Sequence, residues 1–432
     1  MRAPRLRRGV GDHPLNQGRA RRHECHLALT IRKSDDGTPL RCAPSRQLAH
    51  SWWHAWLSRL RCRIREDAAN STTIEGVKTW DVVVIGGGVI GLSLAWRLRH
   101  ANATVLVVEK GEPGREATAA AGGMIAHCDP AIPPELAAMV LASARRYPEF
   151  VAELRAEAFE SPDLREQGTI LFAEDHDIPT CEGARPLSEA ELSELEPLIK
   201  LRGSAYLLPE SSVDPRKLGS VLEKAARTLG VDFVTGSPVT EVAVLGGRTI
   251  GARTAKSFYA AGAVVNCAGA WASLMKPVGV PTRPVKGQMV CVIPPADVKH
   301  TGPLIRHVVR TPEVYLVPRS DGRILLGATV EEAGYDKRVD PDVVKRFTES
   351  AAKVVPEIAG MRLHDAWAGL RPGSPDGLPI LGGTSMKGYF AATGHYRDGI
   401  MLAPVTALVM TELLTGREPR FDLAPFSPQR FS

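Results

Sequence analysis

No uninterrupted apolar stretch of the 432-residue chain reaches the roughly 18–20 residues a membrane-spanning helix needs, so no bilayer span is expected. The seven cysteines (Cys25, Cys42, Cys62, Cys128, Cys181, Cys267 and Cys291) contain no C-x-x-C pair. Their odd number and irregular spacing exclude a zinc ribbon and argue against a disulfide framework, which points to a reducing, cytoplasmic setting. No G-x-S-x-G elbow occurs, so a Ser–His–Asp hydrolase has no support. His127, His364 and His395 match no metal-ligand spacing, and no metal is expected. Basic charge is also missing from most of the chain. Residues 1–78 carry 16 Lys/Arg against 7 Asp/Glu, whereas the rest carries 38 against 41, although the whole is +6. The body therefore offers nucleic acid no electrostatic attraction.

Residues 1–78 mix Arg clusters with Pro, Gly and His and lack sustained periodicity, a composition expected to be disordered. Within them SWWHAWLSRLRCRIR sets Trp52, Trp53, Trp56, Leu57 and Leu60 at helical spacing ahead of four arginines. An interfacial membrane helix, an organelle transit peptide and a start codon placed too far upstream, with the protein beginning near Val77, are the competing readings. The last is preferred because a convincing strand opens three residues later.

From Trp80 the pattern changes. DVVVI (Asp81–Ile85) is a buried-strand run, GGGVIG follows, then Leu92, Leu94, Ala95 and Leu98 at helical spacing, then TVLVVE (Thr104–Glu109). This is a β–α–β unit with parallel strands. Gly86 suits the tight turn, Gly88 the approach of a pyrophosphate, and Gly91 close helix–sheet packing. The helix start offers N–H groups to phosphates. Glu109, 23 residues after Gly86, suits an adenosine ribose. A tight turn without a ligand is the bland alternative, but strand, glycines, helix and terminal acid agree.

The motif does not choose between flavin and nicotinamide. The next segment, GREATAAAGGMIA (Gly114–Ala126), is a small-residue loop that would let backbone approach a planar cofactor, with Met124 and Ile125 arguing for burial. Near the C-terminus Gly399 opens an apolar helix, IMLAPVTALVMTELL, ending at Gly416. Its body reads as core, and its first turn can aim partial positive charge at a ring that becomes anionic on reduction.

Between these blocks Ser188 and Glu191 stand at capping-box spacing. Asp214 is expected as N-cap with Pro215 at the first helical position and Gly230 as the stop. VAVLGGRTIGA reads as a hairpin through Gly246–Gly247, and AVVNCAGAWA (Ala263–Ala272) as a strand delivered to a Gly turn. VKGQMVCVI, EVYLVPR and GRILLGAT follow one another between about 281 and 332, the last two joined by the SDG turn at 320–322, and predict a separate antiparallel sheet.

VVVIGGGVIGLSLAWRL, TAAAGGMIA, VVNCAGAWA, RPVKGQ, WAGLRPGSPDGLPILG and GHYRDGIMLAP together resemble the D-amino-acid oxidase family of flavoproteins, most closely its glycine oxidases of thiamine biosynthesis, over about residues 79–418. The resemblance implies an α/β fold with an added antiparallel sheet: a Rossmann-like FAD-binding domain (79–168, 212–275 and 364–418) interleaved with an α+β substrate domain (169–211 and 276–363), with 419–432 as a tail. It implies non-covalent FAD. Gly86, Gly88, Val89, Ile90 and Gly91 would hold the pyrophosphate, and Glu109 and Lys110 the adenosine. Ala117, Thr118, Gly122, Gly123 and Met124 would line the flavin, with Val239 at the adenine end. His395, Tyr396, Arg397, Asp398, Gly399, Ile400 and Met401 would close over the ring.

For the substrate the candidates are Arg371, Tyr315 and Arg397. A guanidinium matches a carboxylate as a planar fork, and a phenol can add a hydrogen bond. Each has a plainer reading: Arg371 in a structural ion pair with Asp376 or Asp398, Tyr315 in the core, Arg397 orienting the FAD turn. Glu313, two residues before Tyr315, would share its strand face, reaching the substrate amine or facing solvent. Val330 follows GAT where relatives often carry Met, and both positions are expected to shape the pocket. The implied reaction oxidises glycine or another small amine to an imine, then glyoxylate and ammonia, with dioxygen as acceptor and hydrogen peroxide as product. Flavin enzymes of sarcosine or D-amino acids are the nearest alternatives; the covalent-flavin sarcosine oxidases use a late cysteine, and none follows Cys291. An NAD dehydrogenase and a non-catalytic FAD scaffold are the remaining classes, and a homo-oligomer is left open.

Overall fold

The computed structural model describes residues 78–173, 179, 181–295 and 303–431. The expectations for the basic leader and its Trp-rich segment lie outside the described residues.

Two eight-stranded sheets organise the chain. In the first, Val- and Ala-rich strands run in parallel: Tyr389–Thr393, Phe258–Asn266, Thr79–Ile85, Val105–Val108 and Asp232–Val234 are neighbours in that order. Ile380–Gly383 adds an antiparallel edge, and the hairpin Val239–Leu245/Arg248–Thr254 joins Phe258–Asn266. Strands that read as continuous apolar runs need cover on both faces. Helices supply it. Val89–His100 packs against Gly399–Leu414 and Pro215–Thr228, and Pro134–Ala158 packs on the last two. Gly399–Leu414 is apolar on every side and buried nearly throughout, as an all-round hydrophobic helix must be.

The second sheet runs Arg362–Gly373, Arg283–Ile293, Ile324–Gly327, Tyr315–Pro318, Val308–Arg310, Thr169–Phe172, Ala205–Leu208 and Arg185–Leu187. It has its own core, which includes Ile170, Val290, Leu316, Leu326 and Phe347. Its pairings are antiparallel with one exception: Val308–Arg310 lies parallel to Thr169–Phe172. The strands are far apart in sequence, so a run of hairpins could not reveal that join. Arg362–Gly373 hydrogen-bonds along its length to Arg283–Ile293, which carries it across the domain boundary expected at 363/364. Of the tail expected at 419–432, the described residues 419–431 do not trail free: Phe426 is buried, and Arg430 binds Asp376 at 2.7 Å.

One expectation about cysteine is overturned. Cys128 and Cys181 form a disulfide with a Cα–Cα distance of 5.3 Å. Irregular spacing hid the pair because it is made by folding across 53 residues. Cysteine usage therefore no longer argues for a reducing compartment. Among the described residues no helix is long and apolar enough to cross a membrane, and no group of His, Cys, Asp and Glu could hold a metal ion.

Candidate active site

The first strand ends at Ile85 and turns through Gly86, whose φ of 102° favours glycine. Helix Val89–His100 starts three residues on, capped by the backbone of Gly88 without a side-chain bond. A Cβ at Gly91 would run into the Gly86 carbonyl oxygen, so only glycine lets the helix lie so close to the turn. The Val89 N–H donates to Thr118 Oγ1 at 2.9 Å, and the first-turn N–H groups of Ile90 and Gly91 have no partner within the helix. Glu109 is buried and braces the turn: its carboxylate accepts from Gly87 N–H at 2.7 Å and Gly111 N–H at 2.9 Å. Lys110 binds Glu116 and lies 3.2 Å from the Trp271 ring centroid. Val239 opens its strand and packs with Val83 and Val108.

Gly88, Val89 and Ile90 border a cavity of about 380 Å³. Gly86, Gly91, Glu109, Lys110 and Val239 are not on its wall. Ala117, Thr118, Gly122, Gly123 and Met124 form one wall, and the whole run from His395 to Met401 forms another. The second sheet contributes Gly287, Met289, Arg310, Tyr315, Gly369 and Arg371. All three substrate candidates are thus brought to one cavity.

Arg371 reaches it along an unusual path. In register it faces Val285, and its guanidinium folds over Gly287, the diagonal neighbour on the same face. A Cβ at Gly287 would sit 2.5 Å from Arg371 Cζ. Nη1 donates to the carbonyls of Thr329 at 3.0 Å and Lys286 at 3.2 Å. Among the described residues no carboxylate pairs with Arg371, and Asp376 is taken by Arg430. The plain ion-pair reading of this arginine therefore fails. Tyr315 opens its strand, and its hydroxyl donates to Met289 Sδ at 3.1 Å. Burial pushes its phenol up to about 12, against the pull of Arg371, so it stays a neutral donor. Arg397 is exposed, 5.7 Å from the Tyr396 ring centroid. Tyr396 holds φ at 47°, a left-handed conformation costing a non-glycine residue roughly 1–2 kcal/mol.

His395 and Asp398 sit under unusual electrostatics. Burial pulls the His395 imidazole down to about 3, so it is neutral at ordinary pH. Its Nε2 lies 3.0 Å from Thr406 Oγ1, and its buried Nδ1 has no protein partner. Burial raises the Asp398 carboxyl to about 6; Arg397 opposes this and Asp129 adds to it.

Other lining residues escaped the sequence reading. Arg310 binds Asp129 at 3.1 Å and Glu210 at 3.5 Å, and the N–H of Cys128 donates to Glu210 at 3.1 Å. Asp129 follows the small-residue loop closely enough to be found by inspection; Arg310 had no local signal. Cys267 also lines the cavity, with a thiol that burial raises far above its ordinary value and keeps unreactive. Two expectations need correcting. Glu313 is exposed, outside the strand that starts at Tyr315, with its carboxylate at Thr311. Val330 is 61% exposed. Neither lines this cavity, because the strand containing Tyr315 begins later and Ile324–Gly327 ends earlier than their sequences suggest.

The residues present fit a flavin dinucleotide. A wall of alanines and glycines admits a flat ring, the free Nδ1 of His395 can meet a polar ring edge, and the turn at Gly86–Gly88 with its open helix start suits a pyrophosphate. A parallel sheet alone would serve nicotinamide equally. The second sheet closes the ring end of the cavity with an uncompensated guanidinium, and that union is the architecture of a flavin-dependent oxidoreductase.

The sequence model described as FAD dependent oxidoreductase (DAO) matches residues 81–413. Glycine oxidase of Pseudomonas putida is 34% identical over 363 residues, covering 81% of this chain and 98% of its own. Hydrogen cyanide synthase subunit HcnC of Pseudomonas aeruginosa is 30% identical, covering 82% and 97%. The crystal structure of glycine oxidase from Geobacillus kaustophilus aligns with a TM-score of 0.75 at 31% identity, covering 82% of this chain and 99% of that one. The chain belongs to the DAO family of FAD-dependent oxidoreductases, and FAD is its cofactor. The fold class expected from sequence stands.

Proposed function

We propose that the protein oxidises glycine, taking its carboxylate on Arg371 and Tyr315 and yielding an imine that hydrolyses to glyoxylate and ammonia, with dioxygen reduced to hydrogen peroxide. The observation that carries this reading is the Arg371 guanidinium, fixed by two backbone carbonyls and without a carboxylate partner among the described residues. A half-buried guanidinium held away from carboxylates is a ready partner for an anionic headgroup. Bound FAD supplies the two-electron acceptor for the substrate C–H bond. The chain contributes position: the guanidinium and the neutral Tyr315 hydroxyl fix the headgroup, and this orientation is the main gain. His395, neutral by burial, adds no charge of its own to that wall. No side-chain base is called for, because a neutral amine can expel the hydride itself. Resemblance to glycine oxidases of thiamine biosynthesis supports a role for the imine in thiazole formation.

Similarity to HcnC supports a second reading, a related dehydrogenase, and sarcosine or D-amino acids remain the competing substrates. Peroxide release with glycine, sarcosine and D-alanine, run beside reduction of an artificial dye under nitrogen, separates them. Oxygen-linked turnover fastest on glycine supports the proposal; dye reduction without peroxide supports the dehydrogenase. Arg371→Ala removes a charge-assisted pair in which each bond is worth about 1.5–3 kcal/mol. It is expected to lower kcat/KM for glycine at least tenfold, mainly through KM. Unchanged KM would end the carboxylate-clamp reading.

A further inference from the structure

Helix Gly399–Leu414 carries a proline inside its second turn, Pro404. Proline has no N–H to donate, so the Ile400 carbonyl four residues earlier loses its helical partner, and the ring disturbs the next bond as well. Both carbonyls are buried. Each nevertheless receives a hydrogen bond from helix Pro134–Ala158, more than 250 residues away in sequence. Tyr147 donates its hydroxyl to Ile400 O at 3.1 Å. Ser143 donates to Met401 O at 2.6 Å and accepts from Val405 N–H at 3.4 Å, so its hydroxyl stands in the gap where the direct Val405–Met401 bond would close. Ser143 and Tyr147 are four residues apart, hence on one face of their helix, and both side chains are wholly buried.

The segment they hold is the one that meets the cofactor cavity. Gly399, Ile400 and Met401 line it, and among the described residues the Leu402 N–H alone of the first turn has a partner, Asp398 O at 2.8 Å. Pro404 removes one of the bonds that tie this first turn to the rest of a continuous helix, and two hydroxyls anchor the turn from outside by its carbonyls. Anchoring by carbonyls leaves the positive N–H face of the turn free.

We infer that Ser143 and Tyr147 are positioning residues for FAD: by donating to the Met401 carbonyl and to the Ile400 carbonyl that Pro404 orphans, they fix the direction in which the first turn of the C-terminal helix presents its N–H groups to the isoalloxazine. The inference rests on FAD as cofactor and is independent of which amine is oxidised. Losing the donors lets the turn re-form or tilt, which weakens the positive potential at a ring that gains negative charge on reduction.

The test is spectroelectrochemistry and FAD titration on the full-length holoenzyme and its Ser143→Ala, Tyr147→Phe and double variants, each also built with Pro404→Ala. Alanine at 404 restores the N–H and makes the hydroxyl donors redundant. The double variant is expected to bind FAD about tenfold more weakly. Its two-electron midpoint should become more negative by about 30 mV, the equivalent of a tenfold change. Adding Pro404→Ala should recover more than half of that shift. A folded, FAD-loaded double variant with an unchanged midpoint overturns the inference, as does a shift of equal size with and without Pro404. If the double variant does not fold by circular dichroism, the single variants, which keep the packing of Tyr147 or Ser143, decide on the same two readings.

Discussion

At the scale of single residues, the position of Arg371 depends on the absence of a side chain elsewhere. Gly287 gives the guanidinium its bed, and a methyl group there would displace it. Gly287→Ala is therefore expected to mimic much of the loss in Arg371→Ala, raising KM for glycine at least several-fold while FAD content, read from flavin absorbance, stays at one per chain. Arg371 and Tyr315 were legible only through motif resemblance; an arginine in a loop and a tyrosine in a strand are ordinary surface and core residues until the fold brings them to one cavity. Arg310 was not legible at all, because its partners Asp129 and Glu210 come from remote segments. Asp398 gives the site a titration of its own. Its folded carboxyl is raised to about 6 from 3.8, so it is neutral below pH 6 and anionic above. Negative charge added to the cavity opposes an anionic ligand, so acetate, read by perturbation of the flavin spectrum, should bind less tightly as pH climbs from 5 to 7. For Asp398→Asn that slope should vanish. By linkage the same raised acid stabilises the fold below about pH 4, and that contribution is lost as pH rises through 6.

At the scale of elements, local signals did well where neighbours in sequence set the structure. Asp214 caps Pro215–Thr228 by accepting from Arg216 N–H at 2.9 Å, Ser188 and Glu191 form the expected capping box, and Gly246–Gly247 turns the hairpin. The long helix Pro134–Ala158 is less readable, since Pro148 stands inside it. The parallel join of Val308–Arg310 to Thr169–Phe172 and the Cys128–Cys181 bridge are invisible locally, because both are made by residues that meet only in the finished fold. The bridge closes a 53-residue separation, and chain-entropy reasoning assigns such a loop an upper value of about 4 kcal/mol. Cys128→Ser with Cys181→Ser, or treatment with a reductant, should lower the thermal midpoint by several degrees. Asp129 neighbours the bridge and binds Arg310, so substrate affinity should change with it. An unshifted midpoint would mean that the pair contributes nothing to stability.

At the scale of the whole molecule, the two sheets have separate hydrophobic cores but share one cavity. A ligand that fills that cavity stabilises both at once. FAD at a hundredfold excess over its dissociation constant adds about 2.7 kcal/mol by mass action. Apoprotein and holoprotein should therefore each melt in calorimetry, the holoprotein higher and as a single transition. If FAD moves only one of two resolved transitions, the sheets are energetically independent. The presence of a second, largely antiparallel sheet beside the parallel one was readable from the change from parallel to hairpin patterning. The seam was not, because Arg362–Gly373 contains the GLRPG motif yet pairs with the antiparallel sheet.

The cavity takes its walls from residues 88–129, 267–315 and 369–401. On a ribosome, the segment that presents Ser143 and Tyr147 emerges long before the carbonyls they will hold. The ring site cannot exist until Met401 has been made, so flavin capture must follow the synthesis of the first turn of Gly399–Leu414. A nascent chain stalled between His100 and Gly399 would carry the glycine turn and its helix yet remain colourless.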